Sequence, residues 1–472
     1  MLPIIESLSE ANKSNENHDN ISAVILSPTR ELANQISVEF EKLATFHPKM
    51  KSQSITLIGG TNIDKDRKQL ERDHNIRVVI ATPGRLQDHL AKNTANIIGR
   101  IARVDILCLD EADRLLDMGF RQELEKIMGY MPRVHEDTGE ERQTLLFSAT
   151  FPEAMKDITR VAMRPDFQLI DTLDEHEGDA NVQVIQKCLV TPLQHHMIAL
   201  EHVLQDHIEE QKSKNQAYKI IVFFTTARIA GYTAELFRAD PRYPHYNERN
   251  LLEMHSRKSQ SYRTNVAKKF TSESNVVLFS SDVSARGVDY PDVTAVLQVG
   301  APSDKAQYIH RLGRTARAGN SGVGIIILSD FEQVFLKDLS DSEVENFEMK
   351  LSSEEAKQEQ EHFRKLIDSN ADLKKSAIAA YQAFLGYYNS NVRRFRIDGK
   401  KELVQIANEY ATILGFPEGQ PPELQAKTVG KMGLKGVPGI NVERFKGQPG
   451  GGGRGRGGGG RGGGPGRGRG RR

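Results

Sequence analysis

Short apolar runs alternate with segments of helical spacing along most of the chain, and they fall into two series. The first series comprises AVILS (23–27), RVVIA (77–81), VDILCLD (104–110) and TLLFSAT (144–150). The second comprises KIIVFF (219–224), VVLFSSD (276–282), VTAVLQVG (293–300) and GVGIIIL (322–328). Apolar, β-branched runs of this length are typical of strands buried on both faces. The alternation therefore predicts two α/β domains with parallel sheets and a cleft between them, joined by a polar linker at DTLDEHEGDAN (171–181).

The pattern becomes helical from about residue 336. Two apolar stripes at helical spacing predict packing faces; one is Leu373, Ala377, Ala380, Tyr381, Phe384 and Tyr388, and the other is Leu403, Ile406, Tyr410 and Ile413. The Gly/Arg repeat at the end cannot bury a core, so we expect it to be disordered. The predicted limits are 1–172 for the first domain, 183–335 for the second, 336–446 for a helical extension and 447–472 for the tail.

Composition and charge narrow the class of protein. The 472 residues include 27% charged ones, and no apolar run is long enough to span a bilayer, so no membrane partner is predicted. The two cysteines, Cys108 and Cys188, suggest neither a zinc site nor a disulfide. The last 26 residues hold seven of the 64 basic residues and no acid, which leaves 57 basic against 63 acidic residues elsewhere. A basic tail on an acidic body indicates a polyanionic partner.

An acidic cluster follows one predicted strand directly. Asp110, Glu111 and Asp113 come at the end of VDILCLD, where a parallel sheet usually places a metal–phosphate site. One carboxylate that holds Mg²⁺ and another that faces a water molecule would suit nucleotide hydrolysis. The hydroxyls of SAT (148–150) could bond to Asp113, although a strand-end cap is an equally good interpretation.

Turn-forming polar residues follow other strands of the first domain, in SPTRELANQ (27–35), IGGT (58–61) and ATPGR (81–85). Thr29 could cap a helix whose N-terminus binds an anion, and Gly–Gly lets the backbone approach a ligand. Each segment alone is typical of an ordinary turn. Together they favour a track for a phosphate backbone that is recognised by its shape.

The second domain contains YIHRLGRTARAG (308–319), in which Arg311, Arg314 and Arg317 are three residues apart. In a helix they would share one face. Such a run is usually a solvated face. Its position in a second α/β domain also allows an arginine to reach a γ-phosphate across the cleft, which is worth about 10³–10⁵ in rate.

The ordered set PTREL, GG, TPGR, DEAD, SAT, ARGVD and HRLGRTAR resembles the DEAD-box ATP-dependent RNA helicases, from residue 1 to about 440. HSRKSQSYRT (255–264), SDVSARGVDYPDV (281–293), AAYQAFLGYY (379–388) and GKMGLKGVPGI (430–440) resemble the organellar subgroup, typified by mitochondrial RNA-chaperone helicases of fungi and their plant relatives. The resemblance implies two tandem RecA-like domains, the first incomplete, and ATP-driven closure that unwinds short RNA duplexes. It also implies ATP and Mg²⁺, single-stranded or short duplex RNA as a sequence-independent partner, and a monomer.

The resemblance assigns a role to each matching residue. In catalysis, Asp110 would hold Mg²⁺ through water, Glu111 would activate the attacking water, and Arg314, Arg317 and His310 would surround the γ-phosphate. In ATP binding and coupling, Asp113 would bond to Ser148 and Thr150, and Asp289 would contact the ribose. In RNA binding, Arg30, Gly60, Thr82 and Arg85 would act from the first domain and Ser281 from the second.

The sequence departs from the family at the phosphate-binding loop. Its only GK pairs, at Gly399 and Gly430, are not followed by Ser or Thr. LPIIESL (2–8) resembles the segment just after that loop, so we expect an N-terminally truncated chain, negligible ATP hydrolysis by the chain alone, and poor order in residues 1–20.

The alternatives to the helicase function are an RNA-binding scaffold without ATPase activity and a DNA translocase. By subgroup the location would be the mitochondrion, with the nucleus, nucleolus or cytoplasm as alternatives.

Overall fold

The computed structural model describes residues 1–443 apart from 12–19, 48–52, 136–138, 140, 150–152, 172–183, 286–288, 318–320 and 341. The predicted disorder of residues 447–472 and most of the predicted linker lie outside the described residues. The domain limits predicted at 172 and 183 fall at the two ends of one such gap and stay predictions.

The first sheet has five parallel strands in the order β2-β3-β1-β4-β5. Its strands are β1 (Ala23–Leu26), β2 (Ser54–Leu57), β3 (Val78–Ala81), β4 (Ile106–Leu109) and β5 (Gln143–Leu146). The helices are α1 (Leu2–Ala11), α2 (Arg30–Ala44), α3 (Ile63–Arg72), α4 (Pro83–Ala91), α5 (Ile97–Ile101), α6 (Ala112–Asp117), α7 (Arg121–Gly129) and α8 (Glu153–Ala162), with a 3₁₀ turn at Thr94–Asn96. This sheet and these helices are called domain 1.

Domain 1 is held together by an apolar layer on each face of its sheet. The central strands β1, β3 and β4 are buried along their whole length, as their uninterrupted apolar runs predict. Ile4, Ile5 and Leu8 of α1 are buried against one face. The apolar side of α1 thus packs on the sheet, whereas residues 12–19 lie outside the described residues, and the expected poor order of this segment stays a prediction. Strand β5 lies at the sheet edge and pairs only with β4 among the described strands.

The second sheet has seven parallel strands in the order β12-β6-β11-β10-β7-β9-β8. Its strands are β6 (Val184–Val190), β7 (Lys219–Phe224), β8 (Leu251–Met254), β9 (Val276–Ser280), β10 (Ala295–Val299), β11 (Gly322–Leu328) and β12 (Val344–Asn346). The helices are α9 (His196–Ser213), α10 (Ala227–Ala239), α11 (Gln260–Ser272) and α12 (Lys305–Leu312), with 3₁₀ turns at Leu193–His195, Asp282–Ser284 and Asp330–Leu339. These elements are called domain 2. Its last strand, β12, lies beyond the limit predicted at 335.

Four helices follow and are called the extension: α13 (Ser353–Ser369), α14 (Ala371–Ser390), α15 (Gly399–Ile413) and α16 (Ala426–Lys431). The residues of both predicted stripes are buried or half-buried. They belong to the same apolar cluster as α10 and β7 of domain 2. Glu332 of domain 2 is fully buried there, where burial raises its pKa, and it accepts a 2.5 Å hydrogen bond from the hydroxyl of Tyr388. The extension is thus continuous with the core of domain 2.

The fold class predicted from the sequence is confirmed: two parallel-sheet α/β domains are followed by helices. Among the described residues, no helix is long and apolar enough to cross a membrane.

Candidate active site and RNA-binding surface

The acidic cluster lies where β4 ends and α6 begins. The N–H of Asp110 donates to the carbonyl of Leu26 on β1, which fixes the backbone at the sheet edge (2.9 Å). Burial, and then the charge of Glu111, raises the pKa of Asp110 to about 6. Asp110 is therefore mainly a carboxylate at pH 7 and above. Three carboxyl groups at one edge form a set of hard oxygen ligands that suits Mg²⁺.

Glu111 has an unusual backbone conformation, with φ 50° and ψ 54°. This left-handed region is uncommon for a residue other than glycine, and strain of this kind concentrates at functional sites. Only two residues, Asp110 and Glu111, separate the end of β4 from the start of α6. One carboxylate oxygen of Glu111 is buried and has no hydrogen-bond partner.

Asp113 and His310 meet across the two domains. Asp113 is buried in α6, and its Oδ2 lies 3.4 Å from Nε2 of His310 in α12. The N–H of Asp113 donates to the hydroxyl of Ser148 (3.4 Å), which places the end of β5 beside the acidic cluster. Thr150, the other predicted partner of Asp113, lies outside the described residues.

The two predicted arginine fingers differ in their environment. Arg314 is buried, and its Nε donates to the carbonyl of His310 (3.2 Å). Burial, and then the charge of Arg317, lowers the pKa of Arg314 to about 9, so it remains a cation at neutral pH. Arg317 is more exposed and pairs with Asp289, the predicted ribose contact, at 2.6 Å. The structure thus brings both arginines, His310 and Asp289 to the side of domain 2 that faces the acidic cluster.

Arg30 and Gly60 lie together at the carboxyl ends of β1 and β2. Thr29 caps α2 by accepting a hydrogen bond from the N–H of Leu32 (3.2 Å), as the sequence predicts. Gly60 has φ +78°, and a Cβ there would lie 2.3 Å from the guanidinium of Arg30. The positive φ favours glycine here, and a side chain would also displace the guanidinium of Arg30. Burial, and then the nearby Arg263, lowers the pKa of Arg30.

Thr82 and Arg85 lie beside them, after β3. The carbonyl of Thr82 accepts from the N–H of Arg85 (3.1 Å) at the start of α4. Arg85 is buried and donates to Asp66 (2.7 Å) and to the carbonyl of Thr61 (2.8 Å). Its charge is paired within the protein. Arg85 therefore holds in place the loop that contains Gly60 and Thr61.

Ser281 is the one predicted RNA contact in domain 2. It follows β9, is buried, and its carbonyl accepts the N–H of Ser284 (3.2 Å) in a short 3₁₀ turn. The described contacts place it at the carboxyl edge of the second sheet and do not join it to the residues of domain 1. The ARGVD motif is only partly described, because residues 286–288 are outside the described part of the chain.

A polar contact between the domains was not predicted from the sequence. Glu31 at the start of α2 pairs with Arg263 of α11 (2.5 Å) and accepts a hydrogen bond from Gln260 (3.0 Å). All three residues are buried. Gln35 of α2 also accepts the N–H of Asp289 (3.0 Å). Glu31, Gln260 and Arg263 are called the interdomain latch below. An acid in the first turn of a helix is ordinary, so the sequence alone gave no signal for a partner over 200 residues away.

Comparisons with known proteins identify the family of this chain. The DEAD/DEAH box helicase family matches residues 1–158, and the helicase conserved C-terminal domain matches residues 198–319. DEAD-box ATP-dependent RNA helicase 31 of Oryza sativa subsp. japonica is 42% identical over 421 residues, which are 89% of this chain and 71% of the relative. DEAD-box ATP-dependent RNA helicase 26 of the same organism is 41% identical over 440 residues, covering 93% of this chain and 76% of the relative.

A solved structure shows the same architecture. Mss116p (NTE and C-tail double deletion) bound to ssRNA and AMP-PNP superposes with a TM-score of 0.79 and 28% identity, covering 94% of this chain and 85% of that one. The fold and the site define a helicase built from two RecA-like domains. More specifically, the chain belongs to the DEAD-box ATP-dependent RNA helicases, a family that binds ATP and RNA.

Proposed function

We propose that the protein remodels RNA and unwinds short RNA duplexes by closing domain 1 on domain 2 when ATP and RNA bind. The observation that carries this proposal is the approach of His310 in domain 2 to Asp113 in domain 1 (3.4 Å), beside Glu111 and the buried Arg314. Each domain holds only part of this group. Hydrolysis would therefore require closure and would be followed by reopening.

The residues of the cluster would divide the chemistry of phosphoryl transfer. Asp110 would hold Mg²⁺ through a water molecule, and the ion would neutralise charge on the phosphates. Glu111, fixed by its turn, would orient and deprotonate the attacking water. Arg314 and Arg317 would stabilise negative charge on the γ-phosphate, and Asp289 would contact the ribose. The pairing of Arg317 with Asp289 links the last two tasks.

The RNA path would run along the carboxyl edges of both sheets. Arg30, Gly60 and Thr82 would face the RNA backbone from domain 1, with Arg85 behind them, and Ser281 would do so from domain 2. The bound ssRNA in the related Mss116p structure supports RNA binding by this fold. Contacts of this type read the backbone and its shape, so binding would be independent of base sequence.

A single chain contains both halves of the site, which supports a monomer. Subgroup resemblance alone supports a mitochondrial location.

The test is RNA-stimulated ATP hydrolysis together with displacement of a strand from a short RNA duplex. The assay would use both the protein isolated from its own source and the 472-residue chain, because the sequence contains no GK[ST] motif. We expect RNA to stimulate turnover by the native protein far more than DNA of the same sequence does. Equal stimulation by DNA would favour a DNA translocase. RNA binding without turnover by the native protein would favour an RNA-binding scaffold.

A further inference from the structure

A buried acid of domain 1 lies behind the loop that contains Gly60. Asp66 belongs to the first turn of α3, and only 7% of its surface is exposed. Its Oδ2 accepts a hydrogen bond from Nη1 of Arg85 (2.7 Å). Nη2 of the same guanidinium donates to the carbonyl of Thr61 (2.8 Å). Arg85 therefore links the carboxylate of Asp66 to the backbone of the 58–61 loop.

His89 is a second neighbour of this carboxylate. It lies one turn after Arg85 on α4, so the two side chains share one face of that helix. Its Nε2 is 3.5 Å from the same Oδ2 of Asp66. His89 is fully buried, and among the described residues neither of its ring nitrogens has a hydrogen-bond partner. Two buried side chains of α4 therefore meet at one carboxylate.

The guanidinium of Arg85 needs this acid because it is buried. A buried charge that loses its partner is strongly unfavourable, and the side chain then moves to find another partner or water. Without the charge of Asp66, the 58–61 loop would lose the hydrogen bond that Arg85 makes to it. The same loop packs on the guanidinium of Arg30, which a Cβ at Gly60 would overlap. The position of the loop beside Arg30 thus depends on Asp66.

We propose that Asp66 is a positioning residue for RNA, which acts through Arg85 and keeps the 58–61 loop in the conformation that binds the RNA backbone. This inference rests on the proposed function, because it concerns the RNA-binding surface assigned there. Asp66 is buried behind Arg85 and would act without touching RNA. An acid near a polyanion site normally weakens binding by repulsion. A positioning role therefore predicts an effect opposite in sign to that of charge alone.

The first test is RNA binding by the full chain and its Asp66→Asn variant, measured by fluorescence anisotropy with single-stranded RNA. The amide keeps the size of the side chain and removes its charge. We expect affinity to fall by about tenfold or more, although the variant has one negative charge fewer. Asp64→Asn is the matched control, because Asp64 is an exposed acid in the same turn of α3, and it should bind RNA at least as tightly as the parent. Equal binding by the two variants would overturn the proposal.

Two further measurements separate positioning from a general loss of folding. Asp66→Glu restores the carboxylate and should recover much of the affinity that Asp66→Asn loses. In Asp66→Asn the backbone amides of 58–61 should exchange hydrogen faster, whereas those of β1 and β3 should stay protected as in the parent. Faster exchange throughout domain 1, or no recovery in Asp66→Glu, would overturn a local positioning role.

The native protein adds a kinetic readout. In Asp66→Asn the RNA concentration that half-maximally stimulates ATP hydrolysis should rise by about tenfold, and the maximal rate should stay within about twofold of the parent rate. A lower maximal rate with an unchanged RNA requirement would contradict the proposal. If the parent binds RNA and Asp66→Asn binds it equally well, this inference alone fails. If the parent binds no RNA, the proposed function fails with it.

Discussion

Glu111 holds a backbone conformation that is unfavourable for a residue other than glycine. A non-glycine residue in the left-handed region costs on the order of 1–3 kcal/mol, and the surrounding structure must hold it there. Two hydrogen bonds do so. The N–H of Glu111 donates to Oδ1 of Asp110 (3.1 Å), and the N–H of Ala112 donates to the carbonyl of Phe147 (3.0 Å). These two hydrogen bonds thus hold Glu111 in place between the end of β4 and the end of β5.

We expect Glu111→Gln to abolish RNA-stimulated ATP hydrolysis while ATP and RNA binding remain. The amide keeps the shape of the side chain but cannot accept a proton from water, and general-base catalysis is worth about 10²–10⁴ in rate. Single-turnover hydrolysis by the native protein and its variant measures the loss, with ATP binding measured separately. Glu125→Gln, which changes an exposed acid of α7, is the control. Unchanged turnover in Glu111→Gln would remove the residue from its proposed role.

His196 should make the stability of the protein depend on pH. It is fully buried at the start of α9, with its Nε2 3.1 Å from the hydroxyl of Ser329, and burial lowers its pKa from 6.5 to about 4. Below pH 6.5 the unfolded chain binds a proton that the folded protein does not. The free energy of unfolding therefore falls as pH drops from 6.5 to about 4, by on the order of 3 kcal/mol from this residue.

Urea unfolding at several pH values tests the role of His196. His196→Gln should remove part of the decline between pH 6.5 and 4, whereas His202→Gln on the exposed side of α9 should leave it intact. Equal pH profiles for the parent and His196→Gln would contradict the assignment.

At the scale of single residues, the sequence predicted positions better than it predicted partners. Asp110, Glu111, His310 and Arg314 were predicted from their order in motifs, and the structure places them together. Their individual roles stay predictions. The partners of Arg85 and Arg317, by contrast, are acids 19 and 28 residues away. Such pairings depend on how loops cross at the sheet edge, which no local pattern encodes.

Among the elements, the interdomain latch joins two helices from different domains. Breaking a buried ion pair by removing one partner costs roughly 3–5 kcal/mol, because the other charge is left buried. If the domains separate as proposed, Arg263 would be rehydrated, and the cost would appear as easier opening of the cleft. The latch would then stabilise the proposed closed arrangement specifically.

We expect Glu31→Gln to weaken RNA binding in the presence of AMP-PNP by about tenfold or more, since binding of both ligands is proposed to need closure. Without nucleotide the loss should be small. Glu39→Gln is the matched control, because Glu39 lies on the same helix and pairs with Lys42 at the surface. Equal losses with and without AMP-PNP would show that Glu31 acts on the RNA-binding surface itself.

The strands show why sequence pattern predicts part of a fold. The eight apolar runs each became a strand, with ends shifted by a few residues. Four strands were not predicted, namely β2, β6, β8 and β12. SITL, LLEM and VEN are short, and VIQKCLV carries polar residues among its apolar ones. Such segments become strands through pairing with neighbours, and that pairing is a property of the tertiary fold.

For the whole molecule, the uneven charge distribution predicts a salt-sensitive contribution from the tail. Deleting 447–472 removes seven arginines and no acid. RNA binding by the shortened chain should be weaker, and its logarithm should fall less steeply with the logarithm of salt concentration, because fewer counterions are released.

Fluorescence anisotropy with single-stranded RNA at several salt concentrations measures this difference. A variant with all seven arginines of 447–472 changed to lysine keeps the charge and should keep the slope. A deletion with an unchanged slope would leave the tail without a role in RNA binding.

The shared core of domain 2 and the extension has a consequence for how the chain can be divided. Tyr232 of α10 donates to the carbonyl of Leu414, just after α15 (2.8 Å), and Tyr388 of α14 satisfies the buried acid Glu332. A fragment that stops after the second sheet would expose the side of α10 that these helices cover and would leave a carboxyl group without its hydroxyl. The smallest independently folding fragment around the second sheet should therefore include the extension. Fusion points, truncation points and protease sites that leave a folded, soluble fragment should fall outside 184–443.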